Sequence, residues 1–190
     1  MSTSTIVLLI IAALAVMLIV IYNRLVALKQ TRNNAFSDID VQLRLRYDLV
    51  PNLVETVKGY AAHESELFQK VTEARASAMN AAGKGMGERS AAESAFGGAL
   101  MNLMAVAENY PELKANEYFM GLQRELSNIE NKIAAARRFF NNATNEYNTS
   151  VQQFPANLIA GRFGFTEEDF FEISEAEREQ VEAAPSVSFN

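Results

Sequence analysis

From Ile6 to Ile21 every residue is apolar, and no polar or charged side chain interrupts the run. An uncharged stretch of this length is the pattern of a membrane-spanning helix. At 1.5 Å per residue it extends roughly 24 Å, a little short of the ~30 Å hydrocarbon core. Ser4 and Thr5 can prolong it at one end and Tyr22 at the other. Ile6, Leu9, Leu14, Leu18 and Ile21 are expected to face lipid. Tyr22 falls at the interface, where aromatic rings are enriched, with Arg24 and Lys29 able to snorkel beyond it.

A cleaved secretory signal is the competing reading, because Ala13-Leu14-Ala15 has the small-x-small form of a cleavage site. The segment lacks a basic leading region, however, and Val16–Ile21 would leave a mature chain that starts on a hydrophobic plug. The run is therefore expected to be a retained anchor. No Lys or Arg precedes it, whereas Arg24, Lys29 and Arg32 follow closely, with Arg44 and Arg46 beyond. The positive-inside rule then puts the C-terminal domain in the cytoplasm.

After the anchor the apolar positions recur in steps of three and four: Phe36, Ile39, Leu43, Val50, Leu53, Val57, Tyr60, Leu67, Val71, Ala74, Ala78. Arg46 and Glu64 are the charged members of this series. A spacing near 3.5 over about six heptads predicts one long helix with a packed seam, continuous with the anchor. Pro51 lies inside it, so a kink near Tyr47–Pro51 is expected. Ala81–Gly87, with three alternating glycines, predicts a turn. A second helix is expected from about Glu88 to Asn109, with Gly97-Gly98 allowing a neighbouring helix to approach closely. Tyr110-Pro111 ends it, and Pro111 with Glu112 suits the first turn of a third helix.

That third helix carries the strongest pattern: Phe119, Leu122, Leu126, Ile129, Ile133, Ala136, Phe140, Ala143, Tyr147, Val151, Phe154. Its polar side is rich in Asn, which is a modest helix former and so points to packing or capping demands on the amides. Pro155 halts it. No segment alternates with period two. The expected fold is all-α, an N-terminal single transmembrane helix continuing into an antiparallel bundle of long helices. The expected divisions are an anchor over 1–22, a bundle over 23–172 and an acidic, flexible tail over 173–190.

Composition removes several function classes. The chain has no Cys, one His and a formal net charge of −6. Disulfides, thiolate metal sites and thiol nucleophiles are therefore impossible, and a nucleic-acid role is disfavoured because counterion release needs a basic face. Gly83-Lys84-Gly85 is not a phosphate-binding loop, since neither Ser nor Thr follows Lys84 and no strand leads into it. His63 with Glu64 and Glu66 falls short of a metal-ligand set. No nucleophile–base pair, ligand set or cofactor loop is visible, so no catalytic residue, metal or cofactor is expected.

Several motifs occur in order along the chain: Tyr22-Asn23-Arg24-Leu25-Val26, Asp48-Leu49-Val50-Pro51-Asn52-Leu53-Val54, Val57-Lys58-Gly59-Tyr60. Glu108-Asn109-Tyr110-Pro111-Glu112-Leu113-Lys114, Glu130-Asn131-Lys132-Ile133-Ala134-Ala135-Ala136-Arg137-Arg138-Phe139 and Tyr147-Asn148 follow. Together they resemble the LemA family of bacterial membrane proteins, over nearly the whole chain through Phe171. The resemblance implies a short external N-terminus, one inner-membrane span and an intracellular helical bundle. It does not supply a biochemical activity, because the family as a whole lacks an established one.

Candidate interaction residues are Asp40, Arg44, Arg46, Asp48, Glu64, Phe163 and Phe165. Asp40–Arg44 and Arg44–Asp48 have the i,i+4 spacing of a salt-bridged helix face, and the same cluster is a candidate docking surface beside the bilayer. Arg46 and Glu64 need partners, either on the third helix at Glu130, Asn131 or Arg137, or across a subunit boundary. The Phe-rich segment 154–171 is expected to fold back as a cap, with subunit or bilayer docking as the alternative. Counting three long antiparallel segments puts it far from the membrane, which favours capping or subunit contact. The partners expected are therefore the lipid bilayer, further copies of the chain and another membrane protein. A self-associating scaffold of the envelope, or an adaptor for a membrane protease or transporter, is the functional expectation.

Overall fold

The computed structural model describes residues 2–171. Helix α1 spans Thr3–Lys58, α2 Ser65–Asn80, α3 Met86–Ala107, α4 Pro111–Lys114 and α5 Glu117–Gln152. There is no strand among the described residues. The chain divides into two compact units, one of residues 2–40 and 135–170, the other of residues 41–134 with Phe171. The expected acidic tail, 173–190, lies outside the described residues.

In the first unit the apolar run of α1 is exposed along its length, from Ile6 to Val20, and is long and apolar enough to cross a membrane. Helix α1 continues unbroken past it. Residues 135–152 of α5 run antiparallel beside α1: the Phe140 ring lies 5.5 Å from Phe36, and Lys29 sits 6.0 Å over Tyr147. Leu25, Tyr147, Val151, Ala156, Ala160 and Phe165 form its buried core, joined by Ile21 and Leu28. Two short 3-10 turns, Ala156–Leu158 and Ala160–Phe163, carry the chain beyond α5. Gly164 ends the second at φ 75°, a left-handed position that suits a residue without Cβ.

In the second unit α1 continues through Pro51 to Lys58. The single long helix expected as far as Ala78 is not formed. The chain leaves helix at Gly59, and α2 begins only at Ser65. Gly59 is a poor helix residue, and in the turn Tyr60 N–H and Ala61 N–H both donate to the Val57 carbonyl, at 3.0 and 2.9 Å. The 3.5-residue rhythm persists across the break because α2 buries Phe68, Val71 and Ala78 as well. Periodicity alone therefore could not reveal the reversal.

The turn expected at Ala81–Gly87 is present, as a 3-10 turn over Ala81–Gly83 followed by α3 from Met86, and α2 packs against α3. Gly97 and Gly98 do not mediate the expected close approach: a Cβ built at either meets nothing within 4 Å. Pro111 starts a separate four-residue helix, not the third long one. The true start of α5 is set by Asn116, whose Oδ1 accepts the Phe119 N–H at 3.0 Å as an N-cap. The seam of α5 is buried from Phe119 to Val151, while Phe154 falls past the helix end and is exposed.

Candidate functional site

The second unit buries an ionic cluster. Arg46 on α1 and Glu93 on α3 are both excluded from solvent and form a salt bridge through Nη2. The Arg46 Nη1 reaches Glu130 of α5 at 3.0 Å. The other Glu93 oxygen accepts the Tyr47 hydroxyl, and the Arg46 guanidinium lies 4.9 Å from the Phe96 ring. Arg89 is close enough to act electrostatically on Tyr47. Burial, then the hydrogen bond and charge of Glu93, push the Tyr47 phenol well above its usual value.

Arg46, Arg89 and Glu93 are buried, and the Glu130 side chain, 41% exposed, supplies the second negative charge from the edge of the cluster, so the group is neutral overall, as buried charge requires. Breaking it leaves a buried charge, whereas keeping it demands one alignment of α1, α3 and α5. Buried ion pairs of this kind can specify helix register. Arg46 therefore meets α5 at Glu130, one of the partners its seam position suggested, and is withdrawn from the surface. Glu93 was not singled out from the sequence. Its signal was present, for Arg89, Glu93, Phe96, Leu100, Leu103 and Ala107 step by four and three along one face.

The first unit has a second polar arrangement. Asn148 clips the extended chain at Glu168, donating Nδ2–H to its carbonyl and accepting its N–H, both at 2.9 Å. The Glu168 carboxylate bridges Lys29 at 3.1 Å and Arg32 at 3.4 Å. Arg32 Nη2 also donates to the Asp169 carbonyl and lies 4.9 Å from the Phe140 ring. Amide chemistry of the kind the Asn-rich face suggested is thus used at Asn116 and Asn148. Tyr147 is buried here, and desolvation raises its phenol above the usual value.

Asp40, Arg44 and Asp48 are exposed on α1, and among the described residues no ion pair joins Arg44 to Asp48. Val41 and Leu45 stand exposed beside Arg44 and Asp48, at 56% and 45% of their full areas. Glu64 is not on a long seam but in the turn before α2, where its carbonyl accepts the Phe68 N–H. His63 is exposed in the same turn.

Phe163 and Phe165 correct the expected geometry. Their rings lie 5.3 and 5.6 Å from Tyr22 in edge-on contact, beside the anchor and not at the far end of the bundle. The expectation rests on counting three long segments; within the first unit, residues 135–152 of α5 run antiparallel to α1 and lead into the segment that touches Tyr22. Phe165 does cap the core of the first unit, but Phe163 remains more than half exposed.

The model of the LemA family matches residues 35–189. The chain belongs to the LemA family. The match begins after the anchor and covers both the Arg46–Glu93–Glu130 cluster and the Asn148 clip. Among relatives, magnetosome protein MamQ 1 of Paramagnetospirillum magneticum is 26% identical over 175 residues, 80% of this chain and 64% of its own length. MamQ of Magnetospirillum gryphiswaldense is also 26% identical, over 79% of this chain and 64% of that one. Protein LemA of Metamycoplasma hominis is 26% identical over 80% of this chain and 68% of its own. This LemA-family chain thus spans a little under two thirds of the magnetosome relatives.

Proposed function

We propose that this protein is a membrane-anchored, non-enzymatic helical scaffold that self-associates to organise or support the inner membrane or envelope, with its bundle in the cytoplasm. The observation that carries the reading is the exposed stripe on α1. Val41, Arg44, Leu45 and Asp48 share one face, and two of the four are large and apolar. The opposite face of the same stretch is already committed to the core through Leu43, Tyr47 and Val50. A helix apolar on two sides is suited to packing on a second helix as well as on its own bundle. Membership of the LemA family, and the naming of two relatives for the magnetosome, agree with a structural role.

Because the chain has no cysteine, single-cysteine variants report contacts without background. With Val41→Cys or Leu45→Cys, a short bis-maleimide in native membranes should give a species of two chains. Ser127→Cys, exposed on α5, should not. Absence of the two-chain species at both α1 positions would remove the scaffold reading.

An adaptor for another membrane protein is the second reading, favoured by the exposed Arg44 and Asp48, which leave each other unpaired. It predicts adducts of one chain with a different protein from the same two positions.

A further inference from the structure

We propose that the segment after α5 is a second membrane contact, an interfacial collar that inserts Phe154, Leu158 and Phe163 into the lipid surface around the anchor's exit. Its two faces are chemically distinct. Ala156, Ala160 and Phe165 turn inward onto Leu25, Tyr147 and Val151. Phe154, Leu158 and Phe163 turn outward and are 79%, 71% and 54% exposed. Three large apolar side chains on a dozen residues of irregular chain are costly in water and suited to an interface.

The occupant follows from where the segment is held. Tyr22, the residue directly after the apolar run, contacts both Phe163 and Phe165, and Ile21 packs on the same core. A span needs about 20 residues, and counted from Ile6 that number reaches Leu25, which is buried against this segment. The short run thus draws residues 22–25 toward the interface and brings the collar with them. Arg24 and Arg162 are both exposed beside it, and their guanidinium groups can reach lipid phosphates. The Glu168 carboxylate, which must stay out of the hydrocarbon, is bound instead to Lys29 and Arg32, one to two turns farther along α1, where Arg32 also holds the Asp169 main-chain carbonyl. A collar of this kind fixes the tilt and rotation of the first unit on the membrane, which a lone span does not.

The inference rests on the anchor spanning a bilayer, so the test must report on both. The chain has no Trp, and a single one can be introduced by Phe154→Trp, Leu158→Trp or Phe163→Trp in the full-length protein. After reconstitution into vesicles, emission from all three should be blue-shifted and lose intensity when the lipid is brominated high on its acyl chains. Tyr118→Trp, exposed on α5, should stay red and unquenched. Leu14→Trp should be quenched by lipid brominated deep in the chain, which verifies the anchor independently. Quenching at position 14 with red, unquenched emission at 154, 158 and 163 overturns the collar alone. Blue-shifted emission there without bromine quenching would mean a second copy covers the face, and overturns it too. No quenching at position 14 would overturn the span and the collar together. Three positions sample one face, so a variant that fails to fold leaves two reporters.

Discussion

The Arg75 side chain donates from Nε to the main-chain carbonyl of Tyr47 at 2.8 Å. That carbonyl is the one Pro51 leaves unpaired, because a proline offers no N–H to the residue four positions before it. Helix α2 thus repairs the hydrogen-bond ladder of α1, and the repair ties the two helices together. Arg75→Leu should cost about 1–3 kcal/mol, the usual penalty for stranding a part-buried acceptor beside a lost charged donor. In a Pro51→Ala background the cost should shrink, since the restored N–H takes over the Tyr47 carbonyl. Thermal unfolding in detergent, run as a double-mutant cycle, measures this. Equal costs in both backgrounds would show that the Arg75 contact is incidental.

The cluster around Glu93 predicts an asymmetry between breaking and replacing it. Glu93→Ala leaves Arg46 buried beside a hole and should destabilise by about 3–5 kcal/mol. Replacing Arg46 and Glu93 together by Met and Leu should cost far less. If that double variant instead populates more than one helix register by cysteine cross-linking, the pair's role in specifying register is supported. A single register with full stability would refute that role.

Alkaline stability should report Tyr47. Its folded-state phenol titrates above the ordinary value of 10.0, chiefly through burial and then through Glu93. The neutral phenol is therefore favoured by folding, and the associated stability is complete below pH ~10. It is lost as pH rises from there toward the folded-state value, because the unfolded chain releases its proton first. Unfolding followed from pH 8 to 11 should show wild-type stability declining above pH ~10. Tyr47→Phe should flatten that decline, leaving a remainder from Tyr147, which burial also raises. An unchanged slope in Tyr47→Phe would count against the assignment.

Open space at Gly98 gives a prediction of opposite sign. A Cβ there meets nothing within 4 Å, and the position lies inside α3. Gly98→Ala should therefore stabilise the fold by about 0.5–1 kcal/mol through helix propensity and the unfolded chain's lost freedom. A higher melting temperature with unchanged assembly is expected. Destabilisation would mean that the space is filled in the assembled protein.

The long apolar N-terminal helix, the all-helical fold and the glycine turn after α2 were legible in periodicity and composition, while the seam position of Arg46 pointed to α5 with Glu130 as one of three candidate partners. Periodicity failed at Gly59, where a reversal keeps the same hydrophobic phase on both sides and leaves no signal in period. The turn also undoes the count of three long segments on which the expected place of Phe163 and Phe165 rests. Asn116 and Asn148 illustrate a different boundary. Their abundance class was legible, but which amide caps α5 and which clips Glu168 depends on tertiary placement. The seam that carries Glu93 is faint in the sequence, because an Ala-rich helix with two glycines shows little contrast between its faces.

Copy number separates a self-associating scaffold from a lone bundle. Single-particle mass measurement on the protein extracted directly into native nanodiscs should give particles with two or more chains at native abundance. Leu45→Arg, which puts a charge on the exposed stripe of α1, should shift them to one chain without lowering the melting temperature. Particles of one chain at every abundance, unchanged by Leu45→Arg, would contradict the scaffold.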